Sequence, residues 1–253
     1  MKPIALITGA TAGIGKATAK KLALSNYNVI ITGRRTERLE ELRSEIESEA
    51  DVGVHILTFD VREKAQVDKA IDSLSEDWRK IDVLVNNAGL AVGLGHIQDG
   101  VIDDWERMID TNIKGLLYVT RKVAPLMVER KKGHIINVGS IAGKEVYENG
   151  NVYCATKHAV DALTKAMRTD MLKDRIKVTG ICPGMVETEF SLVRFKGDKE
   201  KADNAYKNFE PLSAEDIADV IEFAVSRPPH VNLNDVVITA TDQANSFYKN
   251  VKS

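Results

Sequence analysis

Tyr153 and Lys157 stand four residues apart in Tyr153-Cys154-Ala155-Thr156-Lys157, a spacing that places both side chains on one face of a helix. A free tyrosine ionises near pH ~10, too high for a base at neutral pH, but an ammonium group within a few ångströms favours the phenolate. Lys157 is therefore a candidate for tuning Tyr153 toward working pH. Upstream, Asn137-Val138-Gly139-Ser140 supplies a hydroxyl that can hold a substrate oxygen while Tyr153 moves its proton. Most Tyr-x-x-x-Lys pairs are ordinary surface neighbours, so the pair draws its weight from the rest of the chain.

Thr8-Gly9-Ala10-Thr11-Ala12-Gly13-Ile14-Gly15 closes a first apolar segment and runs directly into an Ala- and Lys-rich helical pattern. Glycine lets the backbone take positive φ and approach a pyrophosphate, while the helix N-terminus offers free N–H groups and partial positive charge. The spacing is neither G-x-G-x-x-G nor a P-loop with its Gly-Lys-Ser/Thr ending. A second apolar segment ends Gly33-Arg34-Arg35. An acidic residue there would accept hydrogen bonds from a ribose 2′-hydroxyl, whereas arginine favours a 2′-phosphate. Asp60 and Asn86-Asn87-Ala88-Gly89 follow later segments, in positions suited either to cofactor contact or to turn stabilisation.

Apolar runs of strand length recur at 4–8, 29–32, 54–59, 81–85, 134–138, 177–181 and 236–239. Between them, helical periodicity occupies 16–25, 39–46, 67–74, 105–128, 152–172 and 217–225. Strands that are continuously apolar are covered on both faces, and their alternation with helices predicts an α/β fold. The expected architecture is a Rossmann-type, doubly wound parallel sheet of about seven strands with helices on both faces. A chain of 253 residues is expected to form one such domain. One segment breaks the alternation, 195–210, where charge is dense. It is either a solvated surface loop or helix, or part of a substrate lid at about 187–210 beyond a strand's carboxyl end.

Lys+Arg 35 against Asp+Glu 37 leaves a formal charge of -2, without the basic footprint of a nucleic-acid binder. Trp78 and Trp105 are read as packing residues. Cys154 and Cys182 form no disulfide framework and are expected to be reduced; the five histidines are scattered, so no metal is expected. No segment approaches the ~20 apolar residues of a membrane span, and no signal peptide is read at the N-terminus. A cytoplasmic protein acting on a small molecule is expected.

TGATAGIG at 8–15, NNAG at 86–89, Asn112 in a helix, Ser140, Tyr153 with Lys157, and Pro183-Gly184 occur in this order. The chain thereby resembles the short-chain dehydrogenase/reductase family over nearly its whole length. The resemblance implies that Tyr153 is the catalytic acid/base and that Ser140 positions the carbonyl or hydroxyl. It further implies that Lys157 binds the nicotinamide ribose and that Asn112 supports a water-mediated proton relay to Lys157. NADP(H) would run along Gly9, Ala10, Thr11, Ala12, Gly13 and Ile14, then Arg34 and Arg35, Asp60 and Val61, and Asn87, Ala88 and Gly89. Beyond Tyr153 and Lys157 it would meet Pro183, Gly184, Val186 and Thr188.

TGRRTERLEEL, DWERMIDTNIKGLLYVTR, GNVYCATKH and FSLVRFKGDKEKADNAY further resemble NADP-dependent 3-hydroxy acid (serine/allo-threonine) dehydrogenases. That likeness implies oxidation of the 3-hydroxyl of a small hydroxy acid or amino acid such as serine, allo-threonine or 3-hydroxypropionate. Pocket positions include Lys144, Glu145 and Tyr147, with Tyr147 counted among the substrate contacts beside Ser140 and Tyr153. Arg194 or Lys196, placed past the strand that ends at Pro183-Gly184, is expected to bind a substrate carboxylate. The alternatives are a broad carbonyl or 3-ketoacyl reductase and a non-catalytic NADP(H)-sensing protein. The intact Ser140, Tyr153 and Lys157 speak against the sensor. Family likeness also implies a homotetramer, with the helices at 105–128 and 152–172 pairing across a two-fold.

Overall fold

The computed structural model describes residues 2–251. Its strands are β1 (Ile4–Ile7), β2 (Asn28–Gly33), β3 (Val54–Thr58), β4 (Ile81–Asn86), β5 (Gly133–Val138), β6 (Ile176–Pro183) and β7 (Asp235–Ile238). All neighbours pair in parallel, in the order β3-β2-β1-β4-β5-β6-β7. The expected seven-stranded, doubly wound Rossmann-type sheet is thus present. Chain direction across the sheet reverses between β1 and β4, and the crevice beyond their carboxyl ends is where such sheets bind ligands.

The helices are α1 (Gly13–Leu24), α2 (Thr36–Glu49), α3 (Lys64–Asp72), α4 (Ile102–Ile109), α5 (Leu116–Arg130), α6 (Asn151–Asp170), α7 (Phe190–Arg194), α8 (Lys199–Asn204) and α9 (Ala214–Val225). Alternate residues of each strand face opposite layers. Ile4 and Leu6 of β1 pack with Val119, Val123 and Met127 of α5, whereas Ala5 and Ile7 pack with Leu22 of α1 and Ile217 and Ile221 of α9. Each such fully buried aliphatic side chain contributes roughly 1.5–3 kcal/mol. The central strands are therefore predominantly apolar. The edge strand β7 departs from that expectation: it has one strand neighbour, and Val237 is 56% exposed.

Two features were not resolved by periodicity. The expected helix at 105–128 is divided by a π-helical turn, Asp110–Gly115, between α4 and α5. The charged segment near 195–210 carries the short helix α8, following α7. Inside the sheet, Asn86 and Asn137 lie opposite each other on β4 and β5 and are both buried. Asn86 Nδ2 donates to Asn137 Oδ1 at 2.9 Å and to Thr120 Oγ1 at 2.9 Å, and Asn137 Nδ2 donates to Thr164 Oγ1 at 3.0 Å. These bonds tie α5 and α6 to the sheet and offset the cost of burying two amides.

Candidate active site

The glycine-rich turn leaves β1 with Gly9 at φ 68° and Gly13 at φ 51°. A methyl group on Gly9 would stand 3.0 Å from the Ala88 Cα, and one on Gly13 would meet Thr188 at 3.1 Å. Both positions thus need glycine for conformation and for close approach. Helix α1 begins here with neither a side-chain cap nor an acidic residue in its first turn, leaving its end of the macrodipole favourable to an anion. Asn87 Nδ2 donates to the backbone oxygens of Thr8 and Gly9 at 2.9 and 3.2 Å, while Thr8 Oγ1 accepts from the backbone N–H of Asn87 and of Ala88 at 3.0 Å. Of the two roles open to Asn87, the one visible is bracing this turn.

Along the carboxyl edge runs a cleft lined by Gly9, Gly13, Arg35, Asp60, Ser140 and Tyr153, among others. It is long enough in sequence reach to join the arginines after β2 to the tyrosine of α6. Arg35 donates to Thr11 Oγ1 at 2.8 Å, and Arg34 lies 3.7 Å from Asp60 Oδ2. Asp60 itself accepts from the Arg62 backbone N–H at 3.0 Å and from its guanidinium at 2.7 Å. Val61, Asn87, Ala88, Gly89, Pro183, Gly184, Val186 and Thr188 also line the cleft, with Thr11, Ala12, Ile14, Arg34 and Lys157. Ala10 does not line it; its side chain is fully buried and its backbone N–H donates to Thr32. An uncapped helix end, a glycine cradle and a pair of arginines fit a dinucleotide carrying a 2′-phosphate.

At the other end of the cleft, Ser140 follows β5 while Tyr153 and Lys157 lie on the inner face of α6. Lys157 Nζ donates to the Val138 backbone oxygen at 2.9 Å and lies 5.9 Å from the Tyr153 ring centre. Burial pulls its amine down to about 8. Burial pushes the Tyr153 phenol well above its usual value, and Tyr147 adds to the rise, while hydrogen bonding with Ser140 and the charge of Arg194 oppose it. Desolvation therefore outweighs the Ser140 hydrogen bond and the Arg194 charge in the protein alone. Asn112 sits in the π-helical turn, its Nδ2 donating to the Leu90 oxygen at 2.8 Å and to Thr156 Oγ1 at 3.0 Å. Its Oδ1 accepts from the Leu90 N–H at 2.8 Å. Gly89 brings Asn112 and Lys157 together: a methyl there would stand 3.3 Å from Asn112 Oδ1 and 3.6 Å from Lys157 Nζ.

Tyr153 also borders a second, adjoining pocket with Trp105, Asn151, Arg194 and Lys196. The Arg194 guanidinium lies 5.3 Å from the Tyr147 ring centre and 5.5 Å from that of Tyr153. Lys196, by contrast, is paired with the buried Asp104 carboxylate at 2.7 Å, so its charge is already engaged. Lys144 points elsewhere, pairing with Asp161 and Asp235, and Glu145 accepts the Ser246 N–H at 2.8 Å. Sequence reasoning passed over Phe190, whose ring centre is 5.9 Å from that of Tyr153, and Glu189, which reaches Arg35 and Arg38. Neither carries a motif. Only their place after β6 could have singled them out.

A doubly wound sheet, a glycine cradle at its switch point and a Ser, Tyr and Lys set at the same edge define a nucleotide-dependent oxidoreductase. The chain matches the short chain dehydrogenase family model over residues 3–198 and belongs to that family. It is 47% identical over 247 residues to the NADP-dependent 3-hydroxy acid dehydrogenase of Schizosaccharomyces pombe, covering 96% of this chain and 95% of the relative. Sulfoacetaldehyde reductase 2 of Chromohalobacter salexigens is 44% identical, covering 98% of each. Among solved structures, the closed form of serine dehydrogenase complexed with NADP+ superposes with a TM-score of 0.93 at 44% identity, covering 99% of this chain and 100% of that one. Among the described residues no helix is long and apolar enough to cross a membrane, and both cysteines are free and buried.

Proposed function

We propose that the protein is an NADP-dependent dehydrogenase that oxidises the 3-hydroxyl of a small acid, serine, allo-threonine or 3-hydroxypropionate being representative, and reduces the corresponding 3-oxo compound. NADP(H) is its cofactor, in keeping with the arginines after β2 and with the NADP-dependent and NADP-complexed relatives. When bound, it supplies or accepts the hydride and, oxidised, adds positive charge beside Tyr153. Tyr153 carries the proton of the substrate oxygen, Ser140 holds that oxygen, and Lys157 fixes the nicotinamide ribose. Asn112, braced on Leu90 and Thr156, backs Lys157 on the proton path.

The observation that carries the choice of an acid is Arg194. Its guanidinium stands over Tyr153, and its Nε has no hydrogen-bond partner among the described residues. A buried donor without a partner is costly, and a substrate carboxylate would relieve that cost while placing the 3-hydroxyl beside Tyr153. The same fork suits the sulfonate of an aldehyde such as the one that names the Chromohalobacter relative. Arg194 belongs to a lid formed by the segment 187–210. Absorbance at the reduced-nicotinamide band with serine, allo-threonine, 3-hydroxypropionate and an uncharged secondary alcohol of similar size tests the assignment. Preferred turnover of the acids supports it, and equal turnover of the uncharged alcohol returns the function to a broad carbonyl reductase. We further place the chain in a homotetramer; exposed Ile109 and Leu117 on the π-divided helix support a subunit contact there, and light scattering of the purified protein checks it.

A further inference from the structure

Glu189 is the last residue before α7, between Thr188, which packs over Gly13 of the glycine-rich turn, and Phe190, which packs on Tyr153. Its side chain turns toward the far end of the cleft. Both carboxylate oxygens accept from Arg38 at 2.8 Å, and one lies 3.4 Å from Arg35. Arg35 is at the same time bonded to Thr11 of the turn. A single carboxylate thus bridges the lid to the start of α2, across the mouth of the cleft. It takes up the cation that a 2′-phosphate would need. The arginines hold the Glu189 carboxyl below its ordinary range against the opposing effect of burial, so it is an anion at neutral pH.

We propose that Glu189 is an internal competitor of the 2′-phosphate for Arg35, and a latch that the phosphate releases. A dianion arriving on Arg35 repels the adjacent carboxylate and displaces it onto Arg38, which then holds it alone. Because Glu189 is contiguous with Phe190, its displacement shifts the segment standing on Tyr153. The adenosine end of the cofactor thereby reports its 2′-phosphate to the lid over the reacting centre. Glu189 is a specificity-determining residue in this scheme, touching no reacting atom. The inference rests on Arg35 reading the 2′-phosphate. Exposure of all three side chains, each between 41% and 50% in relative side-chain area, limits the effect to the modest range of surface ion pairs.

Calorimetric titration of Glu189→Gln with 2′,5′-ADP and 5′-ADP tests the inference. Removing the carboxylate charge should tighten 2′,5′-ADP by about three- to fivefold and leave 5′-ADP unchanged, a gain that shrinks at high salt. Glu187→Gln is the control: it removes the same charge two residues away, where no arginine pairs with the carboxylate among the described residues, and should leave the ratio of the two affinities unaltered. Hydrogen exchange of residues 187–197 in the unmodified protein should change with 2′,5′-ADP and not with 5′-ADP. An unchanged or weakened affinity for 2′,5′-ADP in Glu189→Gln, or an equal gain in Glu187→Gln, overturns the competition. Exchange that responds alike to both nucleotides overturns the latch. Equal affinity of the unmodified protein for the two nucleotides would remove the Arg35 assignment, and the latch with it; that result is distinguishable because it appears without any substitution.

Discussion

Arg194 donates a 2.5 Å hydrogen bond to the Tyr147 hydroxyl. The bond holds the guanidinium at the end of α7 against the loop that precedes α6, 5.5 Å from the Tyr153 ring centre, with its buried Nε lacking a partner among the described residues. Arg194→Ala is expected to raise KM for a 3-hydroxy acid by about ten- to hundredfold, the equivalent of one hydrogen-bonded charge, with far less effect on an uncharged alcohol. Tyr147→Phe should shift the same ratio in the same direction but less. Steady-state kinetics on both substrate types check this, and parallel losses on the two would rule out a carboxylate contact.

Tyr153→Phe keeps the ring against Phe190 and removes only the hydroxyl. Turnover should fall by at least ~10²-fold, the range of general acid–base catalysis, while NADP(H) binding measured by fluorescence titration persists. Retained turnover in the purified variant would sink the assignment of Tyr153 as proton carrier.

Arg35 is anchored on Thr11 of the glycine-rich turn, whereas Arg34 leans toward Asp60 at 3.7 Å. Arg35→Ser should therefore cost more of the preference for NADP over NAD than Arg34→Ser. The loss expected for Arg35 is roughly one to two decades in the ratio of kcat/KM values. A larger loss at Arg34 would move the 2′-phosphate to the other side of the strand end.

His134 is buried on β5, its Nε2 2.8 Å from Thr179 Oγ1 and its Nδ1 without a partner among the described residues. Burial lowers its ionisation from 6.5 to about 3. Below pH ~6.5 the unfolded chain binds a proton that the native protein refuses. The stability His134 leaves intact above that pH is accordingly lost as pH falls toward about 3. Between pH 7.5 and 5 the unmodified protein should lose about 2 kcal/mol more than His134→Gln, at ~1.4 kcal/mol per pH unit below 6.5. Urea unfolding at the two pH values measures the difference, and equal losses would mean that His134 accepts the proton in the folded state.

The sheet was legible in the sequence because a strand covered on both faces is predominantly apolar, as β1 is throughout and β4 and β5 are apart from polar residues such as Asn86, Asn137 and His134, which hydrogen-bond within the core. The helices flanking them were legible from the same need to cover those faces. The site was legible where a residue type is demanded by chemistry, as for Tyr153, Lys157 and the glycines of the turn. What stayed hidden depends on long-range placement. The π-helical turn that carries Asn112 differs from α-helix by one hydrogen-bond register and leaves no mark in apolar spacing. The pairing of Lys196 with Asp104 joins residues far apart in the chain, and nothing local in either announces it. Glu189 looks in sequence like any carboxylate of a polar loop; only its proximity to Arg35 and Arg38 distinguishes it.

The strand order has a consequence for how the molecule is made. Strand β1 precedes the other six in the chain yet lies in the interior of the sheet, between β2 and β4. During synthesis β2 and β3 can join one side of it early, but the other side waits for residues 81–86. Throughout that interval the nascent chain presents an unsatisfied apolar strand edge, the kind of surface that invites mispairing between neighbouring chains. Ribosome-bound fragments ending before β4 should therefore depend on chaperone protection, and those long enough to expose β4 beyond the exit tunnel should depend on it much less.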